Sequence, residues 1–280
     1  FYMQYLFADL PTSFIVIFTF IFGTIIGSFL NVYLYRLHTG KSLSGSSHCL
    51  SCGTSLCSYE LVPLFSYLFL RGRCSTCQAV IPPRYFLVEL LTGILFVGVV
   101  LNFSGLFLIP LFWLLVSILV VITVYDLYHM IIPDELVFSL VVLAFVHQLY
   151  LLILGMPAVD FMWNLFVAFL GSFFLFLLWK VSNGKWIGFG DVKLVLPLGL
   201  LVGYAGVFSM MVLSFWIGAI IGLALLGIQA LKKRGQPHLR FLPQELTIKS
   251  AVPFAPFLVS GFLTVFFFSV DVISLISYAP

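Results

Sequence analysis

Uncharged apolar runs of roughly bilayer-crossing length alternate with short polar connections along almost the whole chain. Crossing about 30 Å of hydrocarbon takes roughly 20 apolar residues in a helix. Eight such runs are read at about 13–35, 86–103, 106–125, 131–153, 161–179, 192–205, 207–230 and 251–274. The pattern predicts an all-α polytopic membrane protein of about eight transmembrane helices. The sixth run is short and contains Pro197, Gly199 and Gly203, so its ends are the least marked. The one long polar stretch falls between the first two runs. Three regions result: a first transmembrane helix (1–37), a polar loop (38–84), and a helical bundle (85–280). No basic segment precedes the first run and no small-residue cleavage site follows it, so no cleavable signal peptide is expected.

Composition supports a membrane setting. The 280 residues are 62% hydrophobic, 8% charged and include 32 Phe, far from the make-up of a soluble domain of this length. The thirteen Lys and Arg lie on one side of the predicted topology. Arg36, Lys41, Arg71, Arg73 and Arg84 separate runs one and two; Lys180, Lys185 and Lys193 bracket the connection before run six; Lys232, Lys233, Arg234, Arg240 and Lys249 precede run eight. The positive-inside rule makes that side cytoplasmic and puts both termini outside. The net charge of +3 therefore reflects a one-sided distribution, not a nucleic-acid surface, and no nucleic-acid partner is expected.

Seven acids lie outside the polar loops: Glu89, Asp126, Asp134, Glu135, Asp160, Asp191 and Asp271. Asp160 and Asp271 sit at predicted outer ends as solvated boundary residues. Asp126, in DLYHMIIPDE, closes run three, and Asp191, in GFGD, opens run six, which places both at the inner face. An ionisable side chain in a membrane bundle costs about 2.5 to 3.5 kcal/mol and marks a functional candidate. The competing role is helix capping, by Asp191 at the start of run six and by Asp134 after Pro133. Two carboxylates sharing one proton titrate apart, leaving one as a base for water and the other as an acid, which suits peptide hydrolysis. Gly188 and Gly190 let a backbone approach an extended substrate closely. Lys193 is a candidate partner for Asp191 or for lipid phosphate. Pro253 and Pro256, opening run eight, are candidates for shaping a substrate groove. His129 reads as a tuning group or as a boundary residue. Gly23 with Gly27, and Gly218 with Gly222, read as close helix contacts.

The five cysteines crowd the polar loop. Cys49, Cys52, Cys74 and Cys77 form two C-x2-C pairs, a spacing that supplies four thiolates to a tetrahedral, structural zinc ion. Two disulfides are the alternative, which a reducing cytoplasm disfavours. Cys57 is left over and is expected to pack as a small apolar side chain.

Taken in order, GSFLNVYLYRL (27–37), CLSCG (49–53), PLFSYLFLRGRCSTC (63–77), PRYFLVELLTG (83–93), DLYHMIIPD (126–134), GFGDVKL (188–194) and PFAPFL (253–258) resemble the type IV prepilin peptidases, which are bifunctional leader peptidases and N-methyltransferases. The resemblance implies that Asp126 and Asp191 are catalytic and that the cysteines bind zinc. It also implies a site facing the cytoplasm of the bacterial inner membrane. The expected substrates are prepilin or pseudopilin precursors, cut after a glycine and then methylated from S-adenosylmethionine. Glu89 and Gly93 lie in the region that the resemblance ties to methylation. Asn31 and Arg36 match the family motif, and Arg36 also reads as a positive-inside anchor. Where many relatives carry an acidic-Asn-Ile-Pro stretch, this chain reads YELVP (59–63). No glycine-rich nucleotide fingerprint of the Rossmann kind is present. Two rivals remain: a presenilin-like intramembrane protease, which also pairs YD with GxGD, and a proton-coupled transporter with acids in its bundle.

Overall fold

The computed structural model describes residues 11–39, 42, 45–233 and 252–277. Lys41 and the basic residues Arg234, Arg240 and Lys249 fall outside the described residues, as do the side chains of Lys232 and Lys233. The helices are α1 (Thr12–Arg36), α2 (Phe65–Phe69), α3 (Arg84–Asn102), α4 (Leu108–His129), α5 (Asp134–Ile153), α6 (Ala158–Ser182), α7 (Phe189–Lys233), α8 (Ala255–Phe268) and α9 (Val272–Ser277). Apart from these, the described residues hold a short 3-10 turn at Ser58–Leu61 and two isolated β-bridges. Among the described residues, α1, α3, α4, α5, α6 and α7 are the six helices long and apolar enough to cross a membrane, and α8 is an apolar helix of 14 residues. The protein is thus an all-helical, multi-pass membrane protein.

The chain divides into two compact units, Phe1–Val124 and Tyr125–Pro280. In the first, α1 and α3 meet through small residues. A Cβ on Gly27 would lie 2.7 Å from the Glu89 Cα, and one on Gly23 would lie 2.9 Å from the Gly93 Cα. The start of α4 adds Trp113, which stacks on Phe96 at 5.1 Å and donates its indole N–H to the Phe96 carbonyl at 3.2 Å. Val99, Phe112, Leu115 and Val116 are fully buried there.

In the second unit α7 is two helical segments joined at Gly203, which has φ 72° and ψ 171°. A Cβ on Gly171 of α6 would meet both Val195 at 3.3 Å and Val207 at 3.0 Å. A straight helix would hold those valines about 18 Å apart, so the chain folds back on itself at Gly203. The returning segment runs antiparallel to α8, with Gly206 against Val265 and Gly218 against Phe257. Gly222, by contrast, has nothing within 4 Å of where its Cβ would be.

A buried polar network holds the reversal. Asn164 of α6 accepts the Tyr204 N–H at 2.8 Å and donates to Gln148 of α5 at 3.1 Å; Gln148 donates to the Leu200 carbonyl. In a medium without water these side chains supply the partners that a broken helix loses. Runs six and seven of the sequence pattern therefore correspond to the two arms of α7.

The Gly203 conformation is open almost solely to glycine. Replacing it with alanine is expected to cost roughly 1–3 kcal/mol. Denaturant unfolding of the Gly203→Ala protein in detergent checks this, and unchanged stability would show that the reversal does not need that backbone geometry.

Candidate functional site

The local sequence sets where each aspartate sits. In DLYHMIIPDE, α4 ends because Met130 adopts φ 53°, its N–H returning to the Asp126 carbonyl at 2.8 Å. Pro133 then caps α5, and Asp134 and Glu135 occupy its first turn, where the helix dipole favours negative charge. The α6 end is left-handed at Asn183 and Gly184, with the Gly184 N–H on the Trp179 carbonyl at 2.9 Å. This is a common way to stop a helix, and it leaves the GFGD segment to open α7.

Asp126 and Asp191 are each 5% exposed, and the turns that carry them touch, with Gly190 against Ile132. Asp126 comes from the last turns of α4 and Asp191 from the first turn of α7, so three helix ends converge when α8 is included. The Ala255 N–H, at the start of α8, donates to Asp126 Oδ2 at 3.3 Å. A helix N-terminus presents positive partial charge, suited to a carboxylate. Asp191 Oδ2 accepts the Gly188 N–H at 3.1 Å, while Asp191 Oδ1 is buried without a hydrogen-bond partner in the protein. Asp191 is therefore not the N-cap of α7: it lies in the first turn and uses one oxygen to accept the amide of Gly188, the residue just ahead of the helix. The other faces a site that needs a donor, which a water molecule or a shared proton supplies.

Gly190 has a packing role. A Cβ there would lie 3.0 Å from the Ile132 Cβ, so the GFGD turn and the MIIPD turn touch through the missing side chain. A Cβ on Gly188 would lie 3.2 Å from Asp191 Oδ2. Lys193 pairs with Asp134 at 2.8 Å, rather than with Asp191, and lies over the Phe189 ring at 5.0 Å. Pro253 and Pro256 flank Ala255, the residue whose N–H reaches Asp126. His129 is exposed and stacks on Tyr125 at 4.2 Å. Ala255 was not singled out from the sequence, because a backbone donor leaves no mark on residue type; only its place inside PFAPFL pointed there.

In the first unit the four cysteines come together. The sulfurs of Cys49, Cys52, Cys74 and Cys77 all lie within 4.8 Å of one another, and Cys49 and Cys77 are 3.8 Å apart. Zn–S bonds of about 2.3 Å in a tetrahedron require sulfurs about 3.8 Å apart, so the cluster fits zinc. Its two halves share one geometry. The Gly53 N–H returns to the Cys49 carbonyl at 2.9 Å and the Gln78 N–H to the Cys74 carbonyl at 3.0 Å. Both following residues are left-handed, Gly53 at φ 73° and Gln78 at φ 60°. The Thr54 hydroxyl and N–H draw the Cys52 thiol down to about 6. Cys57 is exposed rather than packed, and its N–H is tied to Glu60 at 2.8 Å. Glu89 is buried and accepts the Leu64 N–H at 2.8 Å, while Gly93 packs against Phe20 and Thr24 of α1.

Two family models match successive parts of the chain. Residues 21–103 match the bacterial peptidase A24 N-terminal domain, and residues 113–223 match the type IV leader peptidase family. The prepilin leader peptidase/N-methyltransferase of Myxococcus xanthus (strain DK1622) is 35% identical over 217 residues, covering 75% of this chain and 63% of its own length. That of Stutzerimonas stutzeri is 30% identical over 247 residues, 79% of this chain and 84% of the relative. That of Bacillus subtilis (strain 168) is 28% identical over 258 residues, 91% and 95% respectively. No solved structure matches.

The Ser75 hydroxyl, and then the Cys57 N–H, hold the Glu60 carboxyl below its usual range. A depressed carboxylate stabilises the fold above its unfolded pKa and loses that contribution as pH falls through the folded value. Glu60→Gln is therefore expected to speed zinc loss to a chelator several-fold, and equally at pH 7 and pH 5.5, where Glu60 stays ionised. Zinc-transfer kinetics would show it; identical rates for the two proteins would remove Glu60 from the support of the metal loop.

Proposed function

The chain belongs to the type IV leader peptidase family, and on that premise we propose that Asp126 and Asp191 form the aspartate pair with which it cleaves prepilin-type leaders. Prepilin leader cleavage, joined to N-methylation of the new terminus, is the activity that the matched families and the curated relatives support. The observation that carries the site assignment is two buried carboxylates from distant parts of the sequence on turns that pack together, one of which keeps an unpartnered oxygen.

In the proposed reaction a water molecule lies between the two carboxylates, held in part by Asp191 Oδ1. One carboxylate takes its proton as the oxygen attacks the scissile carbonyl; the protonated partner gives a proton to the leaving amine. Three terms position the pair. The Ala255 N–H fixes Asp126, the Gly188 N–H fixes Asp191, and the bare face of Gly190 lets the two turns close. The scissile bond follows a glycine at the junction between a basic leader and an apolar helix. The leader lies on the cytoplasmic side of the bacterial inner membrane, where the Lys and Arg of the chain concentrate.

Eight crossings are proposed, the two arms of α7 and the shorter α8 each traversing the bilayer along with the other long helices. The four-cysteine loop holds zinc as a structural staple, since four thiolates leave no open position for chemistry. S-adenosylmethionine supplies the methyl group for the second activity. The N-terminal domain match at 21–103 weighs against both a presenilin-like protease and a transporter.

Asp126→Asn and Asp191→Asn are each expected to abolish cleavage of a prepilin precursor while the protein still inserts and keeps its zinc. Mass spectrometry of the reconstituted reaction reads this, and full cleavage by either variant would end the assignment.

A further inference from the structure

The polar loop of the first unit carries an apolar face of its own. Phe65, Leu68 and Phe69 of α2 are 61%, 60% and 83% exposed, and Leu61 and Val62 just ahead of the helix are exposed as well. Spacings of three and four put the three α2 side chains on one side of the helix. The opposite side is packed. The Tyr67 ring meets Phe86 of α3 with centroids 5.4 Å apart, and the Leu64 N–H reaches the Glu89 carboxylate at 2.8 Å. Leu64 at φ 61° and Arg71 at φ 50° bound the helix, so left-handed backbone at each end holds this orientation.

The level of these contacts along α3 decides what the exposed face meets. Glu89 lies about 7.5 Å along the helix axis from Arg84, the first residue of α3. With 19 residues α3 is only just long enough to cross about 30 Å of hydrocarbon, so its first two turns already stand inside the bilayer. Leu87 and Leu91 of α3 are exposed at that level, where lipid is the surrounding medium. α2 is thus tied beside a lipid-facing stretch of a span, and an exposed apolar patch in that position marks a membrane contact. Charge agrees. Arg71 and Arg73 follow the helix directly and are exposed, a pattern that suits lipid phosphate at an interface. A basic leader segment, by contrast, would meet like charge at those arginines.

We propose that α2 is a membrane-docking element: Phe65, Leu68 and Phe69 enter the acyl boundary of the leaflet that α1 leaves and α3 enters, while Arg71 and Arg73 hold anionic headgroup phosphates. An in-plane apolar face sinks about 5–10 Å into that boundary, which agrees with the depth at which Leu64 meets Glu89. The loop is then fixed to the bilayer at its middle as well as at its two ends. Cys49 and Cys52 precede α2 and Cys74 and Cys77 follow it, so the same contact holds the metal cluster at the membrane surface.

The test uses the full-length protein in nanodiscs of phosphatidylcholine with a minor share of phosphatidylglycerol. The photoreactive residue p-benzoylphenylalanine replaces Phe69 in one protein and Leu87, as a lipid-facing reference, in another. After illumination, intact-mass spectrometry reads what each probe has joined, and zinc content reports folding. The Phe69 probe is expected to give a phospholipid adduct in a yield comparable with Leu87, with phosphatidylglycerol several-fold above its share of the lipid. Adding Arg71→Gln and Arg73→Gln is expected to keep the adduct and return its composition to that of the bulk lipid. If the zinc-loaded Phe69 protein gives no lipid adduct while Leu87 gives one, or joins only its own chain or a second copy, the inference is overturned. Capture of an added prepilin precursor in place of lipid identifies a substrate surface and overturns it too. An adduct without enrichment in phosphatidylglycerol overturns the role given to the two arginines.

Discussion

The second unit is organised around two carboxylates held out of water in a bundle almost free of charge. A bare carboxylate in that setting costs about 2.5 to 3.5 kcal/mol on insertion scales. The fold offsets this with backbone donors at helix ends. Asp126 takes the first amide of α8, and Asp191 takes the amide ahead of α7. Helix ends must satisfy free N–H groups in any case, so the amides that need partners are the ones that hold the proposed pair. The arrangement stops one bond short of satisfaction, at Asp191 Oδ1.

Bringing those ends together depends on the fold-back at Gly203, far along the same helix from Asp191. The arm that opens with GFGD packs on α6 through Ala168, Gly171 and Ser172, whose hydroxyl donates to the Val192 carbonyl at 2.8 Å. The returning arm packs on α8, the helix that delivers Ala255. One glycine conformation thus links the element carrying Asp191 to the element whose amide reaches Asp126. The network of Gln148 and Asn164 fixes the turn that makes this possible, and packing between neighbouring helices carries the geometry to the site.

What the sequence showed of this is governed by how local each signal is. Helices were legible because apolar length is a local property, and so were the two C-x2-C pairs and the GFGD turn. The partners were not. Lys193 stands two residues from Asp191 yet reaches Asp134, fifty-nine positions away. The Ala255 amide has no residue-type signature. The contact of Gly190 with Ile132 is visible only as a missing atom, and the exposure of Cys57 follows from an N–H bond to Glu60 that residue type does not signal. In each case the missing information is which distant segment comes alongside, which periodicity does not encode.

The cysteine loop shows the opposite balance between local and long-range order. Between Gly45 and Pro83 its described regular structure amounts to two single bridges, one 3-10 turn and the five residues of α2. Cys74 is the only cysteine of the four that is buried. So little apolar burial cannot offset the entropy of ordering nearly forty residues. The paired knuckles, each closed by a left-handed residue, bring four sulfurs to the spacing that one zinc ion requires. A metal held by that cluster would add its binding free energy to the folding of the loop. The loop in turn presents Leu64 to the start of α3, where Glu89 accepts the Leu64 amide.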